Sequence, residues 1–205
     1  MVTALLLASL LGTHTLAATD DVWIYPHAAD QTDDPLMRVW GDGVNSVGDP
    51  SDSTNSYSIV RFDLASVKDA PKDLKKATLV LWIDGETSMT ASDSKASPIE
   101  ARLVDPSLDE KKWIFENYSR HFPVAGEATL VGKGSGAPTS DGKPFKLAID
   151  LLGGKLDLRK VMEGKKALAF ALTSKIVAGG PDGPYYRIHS RSSEEKLRPT
   201  LVLEY

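Results

Sequence analysis

Hydrophobic and polar positions alternate along most of this chain. In residues 56–64, Val60, Phe62 and Leu64 fall on one side, with Arg61 and Asp63 on the other. The same period recurs elsewhere. Val22 and Ile24 alternate with Trp23 and Tyr25, and Met37 and Val39 with Arg38 and Trp40. Leu79, Leu81 and Ile83 alternate with Val80 and Trp82. Ile99, Ala101 and Leu103 alternate with Glu100 and Arg102, and Leu201, Leu203 and Tyr205 with Val202 and Glu204. Successive side chains of a strand point to opposite faces, so short alternating runs between Gly, Pro, Asp and Ser clusters predict half-buried strands. About nine to eleven such runs are present. Residues 167–172 place Leu168, Phe170 and Leu172 on one face and alanines on the other. Neither face is polar, which predicts a central strand with something packed over the alanines.

Helical spacing is sparse. Leu158, Val161 and Met162 follow the Gly153-Gly154 turn and stop before Gly164, which predicts a short crossover helix over 156–162. Residues 108–118, with Trp113, Ile114 and Phe115 adjacent, fit a short turn of helix or a broken strand. Stretches rich in small and polar residues at 41–55, 86–97 and 132–143 are expected loops. The pattern predicts an all-β sandwich with one or two short helices.

The first seventeen residues change the picture of location. Val2, Ala4, Leu5, Leu6, Leu7, Ala8, Leu10 and Leu11 form an apolar run, and Thr15, Ala17 and Ala18 supply small residues after it. A run of about 10 residues is too short to span a bilayer and fits the core of a secretory signal. No Lys or Arg precedes it. The expected division is a signal peptide over 1–18 and one domain over 19–205, with no membrane span in the mature chain. The chain has 205 residues and no cysteine, so packing alone must hold the fold. At this length a domain buries roughly 70% of its unfolded surface, which is enough. Export without disulfides fits a secreted or cell-envelope protein of a bacterium. The net charge of −4 argues against a nucleic-acid partner.

Candidate chemistry sits on the strands and in one acidic stretch. Arg187, His189 and Arg191 alternate near the end of the chain and are expected to point the same way. Arg38 shares a face with Trp40, and Arg61 lies on the outer side of its strand. Guanidinium forks match carboxylates, as on a uronate polymer, and tryptophan offers a flat apolar face to a sugar ring. His189 is expected to gain charge near pH 6.5. The competing reading is ion pairing and solvation of ordinary outer faces. Asp30, Asp33, Asp34, Asp42 and Asn45 offer hard oxygens that suit a structural Ca²⁺. The competing reading is turn residues. There is no Gly-x-Ser-x-Gly elbow and no phosphate loop. Scattered histidines without cysteine argue against zinc. Tyr185, Tyr186, Arg187 and His189 contain the residue types of a polysaccharide lyase, but one strand face is not a cleft.

Several segments together resemble a known family. They are the opening residues 21–24, Met37-Arg38-Val39 followed by Gly41, Arg61-Phe62-Asp63-Leu64, Ala77-Thr78-Leu79-Val80-Leu81, and the closing pair at 186–191 and 199–205. In order and spacing they resemble the bacterial DNRLRE-type carbohydrate-binding modules. Residues 116–143 and the loop before Tyr57 depart from the usual pattern. The resemblance implies a single jelly-roll β-sandwich that binds polysaccharide without catalysis, an acidic glycan such as alginate being the implied ligand. Two other functions stay open: a structural or adhesive surface module without a sugar ligand, and a small polysaccharide lyase.

Overall fold

The computed structural model describes residues 12–25, 33–40, 56–87, 89–107, 110, 129–136, 138, 141–176 and 183–205. Along the chain these form β1 (Thr13–Ala17), β2 (Asp20–Ile24), β3 (Leu36–Val39), β4 (Tyr57–Asp63), β5 (Lys76–Ile83), α1 (Ala91–Ala96), β6 (Ile99–Val104), β7 (Leu130–Gly134), β8 (Phe145–Asp150), α2 (Leu158–Met162), β9 (Ala167–Ser174), β10 (Tyr186–His189) and β11 (Thr200–Glu204). All strand pairs are antiparallel, and the strands make two sheets packed as a sandwich. No helix among the described residues is long and apolar enough to cross a membrane.

The five-stranded sheet runs β2-β4-β9-β6-β7. The six-stranded sheet is organised by β5. On one side β5 pairs with β8, from Thr78 opposite Asp150 to Ile83 opposite Phe145. On its other side two strands follow each other. β11 covers Lys76 to Val80, and β10 meets Ile83 through Ile188. Thus β10 and β11 lie end to end as two halves of one ladder position, and the chain between them, 190–199, leaves the sheet. Their outer neighbours are also half-strands: β3 pairs with β10, and β1 with β11.

The sandwich interior is made by the predicted apolar faces. Val60, Phe62, Leu64, Leu79, Leu81, Leu168, Phe170, Ile188, Leu201 and Leu203 are all buried in one cluster. Phe62 and Phe170 meet at 6.2 Å between ring centroids. Every residue of β9 is buried, as its two apolar faces predicted. Its Ala169 and Ala171 join Val22, Ile24, Tyr57, Ile59 and Val104 in a second cluster on the outer face of the five-stranded sheet. That covered face corrects the expectation that Glu100 and Arg102 point to solvent. Both are buried, paired with each other, and Glu100 also takes Lys133 Nζ at 2.6 Å. Burial pushes the Glu100 carboxyl up, but the hydrogen bonds and charges of Lys133 and Arg102 outweigh it and hold it below its ordinary range.

Two further differences from the sequence pattern have local causes. Residues 132–134, the start of the glycine-rich stretch expected as a loop, belong to β7. A Cβ on Gly132 would lie 2.1 Å from the Asp150 carbonyl oxygen, so glycine lets β7 approach β8 of the facing sheet. Residues 91–96, also taken as loop, form α1, started by a capping box in which Thr90 and Asp93 bond each other's backbone N–H. Residues 13–17, which lie within the expected signal-peptide span, form β1 in the full chain. The expected crossover helix is present as α2, with Asp157 as its cap. Most of 108–118 lies outside the described residues.

Because Phe170 is fully buried at the inter-sheet contact, Phe170→Ala should cost about 3–5 kcal/mol in equilibrium denaturant unfolding. A loss below about 1 kcal/mol would contradict the packing described.

Candidate functional site

The half-strand arrangement sets β3 and β10 side by side, with Arg38 directly opposite Arg187. Alternation sends Met37, Val39, Tyr186 and Ile188 into the core. It leaves Arg38, Trp40, Tyr185, Arg187 and His189 half-buried on the other face. At this edge β2 of the opposite sheet lies next to β3, and its Trp23 and Tyr25 extend the aromatic group. Trp23 stacks on Tyr25 at 6.0 Å and 21°. Tyr25 meets Trp40 at 5.1 Å, and Trp40 meets Tyr185 edge-on at 5.8 Å. The Arg38 guanidinium sits 4.6 Å from the centroid of Trp23, in cation–π range. Four aromatic rings thus form one continuous row across the sandwich edge. Trp23 is nearly buried; Tyr25, Trp40 and Tyr185 are half-buried.

The arginines of this region have carboxylate partners. Arg187 Nη2 lies 3.0 Å from Asp84, and Nη1 3.4 Å from Glu86. Arg38 lies 3.7 Å from Asp34. Asp34 also accepts the Trp23 indole N–H at 3.1 Å and the Leu36 N–H at 2.9 Å. The expected basic face is therefore neutralised by its own neighbours. Sequence alternation did not show this, because Asp84 and Glu86 lie past the end of β5.

The structure separates the remaining sequence candidates. Arg61 is on the outer face of the other sheet, held by Asp20 at 2.7 Å and by the Pro106 carbonyl at 2.9 Å. Arg191 does not share a face with Arg187, because β10 ends at His189 and the chain turns away. Ser190 donates its hydroxyl to the Asp34 carbonyl, and Arg191 N–H donates to Asp21 at 2.6 Å. The Arg191 guanidinium is bound at two nitrogens by Glu110. His189 Nδ1 bonds Ser193 Oγ at 3.0 Å, and its Nε2 is buried. Burial holds its pKa below the ordinary histidine value, outweighing Asp84 and Glu194. It therefore charges at lower pH than the sequence alone suggested. Tyr186 faces the core, where its hydroxyl lies within hydrogen-bond distance of Ser94 Oγ and the Ser97 carbonyl, and burial pushes its pKa up to about 12. Of the residues weighed for a lyase, Tyr185, Arg187 and His189 stay on one half-buried face, and Tyr186 alone is turned into the core.

Trp82 lies on the same outer face as His189, at the junction where β11 gives way to β10. Of the candidate metal ligands, Asp30, Asp42 and Asn45 lie outside the described residues. Asp33 is exposed, and Asp34 is engaged as above. No group of three or more His, Asp or Glu suited to a metal ion occurs among the described residues. An open groove of about 890 Å³ lies elsewhere, lined by Asp69, Lys72, Asp73, Lys75, Arg159 and Tyr205. None of the predicted site residues borders it. Sequence reasoning passed over Tyr25 and Tyr185 as ring partners of Trp40, and Trp23 as the ring partner of Tyr25. The spacing of Trp23 and Tyr25, two apart on one strand face, was a usable signal. No protein-family model matches the chain, and no curated protein matches it.

The Asp21, Glu110 and Arg191 cluster joins β2 to the excursion after β10 and has a consequence for stability. Asp21 is 1% exposed. Burial raises its carboxyl to about 7, with the Arg191 N–H and charge pulling down and Glu110 and Asp20 pushing up. In the unfolded chain it titrates near 3.8. Between those values the folded protein holds the proton and the unfolded chain does not, so this group's stabilisation is lost as pH rises from about 4 to about 7. Asp21→Asn keeps an acceptor for the Arg191 N–H and removes the titration. The melting temperature of the variant minus that of the parent should climb across this window and level off above it. His189 titrates in both proteins and cancels. A difference independent of pH would contradict the raised carboxyl.

Proposed function

We propose that this chain is a non-catalytic carbohydrate-binding module that acts outside the cytoplasm, and that it holds sugar rings against the aromatic row at the β2, β3 and β10 edge. The observation that carries this reading is the continuity of Trp23, Tyr25, Trp40 and Tyr185 across a sandwich edge, with guanidiniums beside it. Sugar rings present apolar C–H faces that pack on aromatic rings, while arginine donors reach their hydroxyls or carboxylates. The resemblance to DNRLRE-type modules points the same way, as does the leader-like start of the chain.

The ligand is a polysaccharide, and stacking rather than charge provides most of the affinity. A uronate would have to compete with Asp34, Asp84 and Glu86 for Arg38 and Arg187. Half-exposed ion pairs are individually weak, so such exchange is feasible, but its net gain is small. The arginines then orient the glycan. An acidic glycan such as alginate fits this site without being required by it.

Affinity electrophoresis against a panel of neutral and acidic glycans tests the proposal. Trp40→Ala and Tyr185→Ala should each weaken retention roughly tenfold, equivalent to about 1.4 kcal/mol. Arg187→Ala should weaken it less, and added salt should have little effect. Unchanged retention in a folded Trp40→Ala, Tyr185→Ala double variant would overturn the stacking reading. Loss confined to Arg187→Ala, with steep salt dependence, would return the ligand to charge recognition. Retention of no glycan by the parent protein would leave a structural or adhesive module.

A further inference from the structure

The leader-like start of the chain and the sheet compete for the same residues. By small-residue spacing, the best processing signal is Thr15 and Ala17, with cleavage following Ala17 or Ala18. These residues belong to β1. Its register with β11 runs from Thr13 opposite Glu204 to Ala17 opposite Thr200. Backbone hydrogen bonds continue the ladder at both ends, from Tyr205 N to Gly12 O at 3.1 Å and from Ala18 N to Pro199 O at 3.0 Å. Leu16 packs against the core. His14 Nε2 lies 2.6 Å from Asp69 Oδ2, and its ring meets Tyr205 edge-on at 5.7 Å. Thr13, Thr15 and Ala17 are the exposed positions of this strand. The small residues that suggest a cleavage site are thus also what a short, outward-facing edge strand presents.

We propose that residues 12–18 are part of the mature domain, so that any removal of the apolar N-terminal segment takes place before Gly12. A cut after Ala17 or Ala18 would take away the whole of β1. It would leave the β11 edge with unpaired N–H and C=O groups, which invites pairing with another chain. It would also uncover Tyr205, now 2% exposed, and remove the partner of Asp69. Leader removal during export precedes folding, so the fold cannot shield β1 once a cut is made. The strand is kept only if the processing machinery acts upstream. This inference is independent of the glycan reading.

The test is to express the full chain with export in a bacterium, recover the soluble extracytoplasmic protein, and determine its N-terminus by intact mass and terminal sequencing. The expected N-terminus is at or before Gly12. A start at Ala18 or Thr19 would overturn the proposal. A second comparison uses chains beginning at Gly12 and at Thr19. The shorter chain should melt lower by more than about 5 °C, since each kcal/mol shifts a domain of this size by roughly 2–4 °C. It should also self-associate on size exclusion, or fail to fold. Equal melting temperature and a monomeric shorter chain would likewise overturn the proposal.

Discussion

The pairing of β5 is the constraint on which the rest of the molecule depends. One side of β5 is occupied by β8, and the other is divided between β11 and β10. Two half-strands can share one ladder position only if the chain between them leaves the sheet and returns. Residues 190–199 do this, and the excursion is pinned by Ser190 to Asp34 and by Arg191 to Asp21 and Glu110. The same division splits the next position between β1 and β3. It separates the outer face of the six-stranded sheet into two regions. The β1 and β11 region bears threonines, Val202 and Glu204, whereas the β3 and β10 region bears the aromatic rings and arginines.

The electrostatics of that second region bear directly on the glycan binding proposed for it. Facing guanidiniums on paired strands repel unless each is compensated. Arg38 and Arg187 face each other, and Asp34 on one side and Asp84 with Glu86 on the other provide the compensation. The result is a site of low net charge with oriented donors and a run of rings. Such a site suits a ligand that presents flat apolar faces edged by hydroxyls, which describes a sugar chain better than a bare polyanion.

Much of the fold was legible from alternation, because a two-sheet sandwich has one interior and a side chain is either in it or not. The doubly apolar faces of 167–172 even foretold the covered outer face of the five-stranded sheet. What alternation could not show was what covers a face. Glu100 and Arg102 look solvent-bound by pattern, yet they are buried and paired. It also could not show where a strand ends. Extending the period from Arg187 through His189 to Arg191 assumed one strand, and the turn at Ser190 breaks it. Glycines in β7 imitate a loop because the sequence does not reveal the backbone of β8 close by. At the site, Trp40, Arg38 and Arg187 were legible and are brought together. Glu110 and Asp84 were not, since their partnership with arginines depends on contacts distant in sequence.

The most direct test of this account is a glycan titration followed through the tryptophan indole N–H signals in a ¹⁵N-labelled sample. Four tryptophans give separable probes, among them Trp23 and Trp40 in the aromatic row and Trp82 outside it. The account predicts that a binding glycan shifts the Trp40 and Trp23 signals together, saturably, while Trp82 stays in place. Shifts confined to Trp82, or saturable binding that moves neither Trp23 nor Trp40, would contradict it.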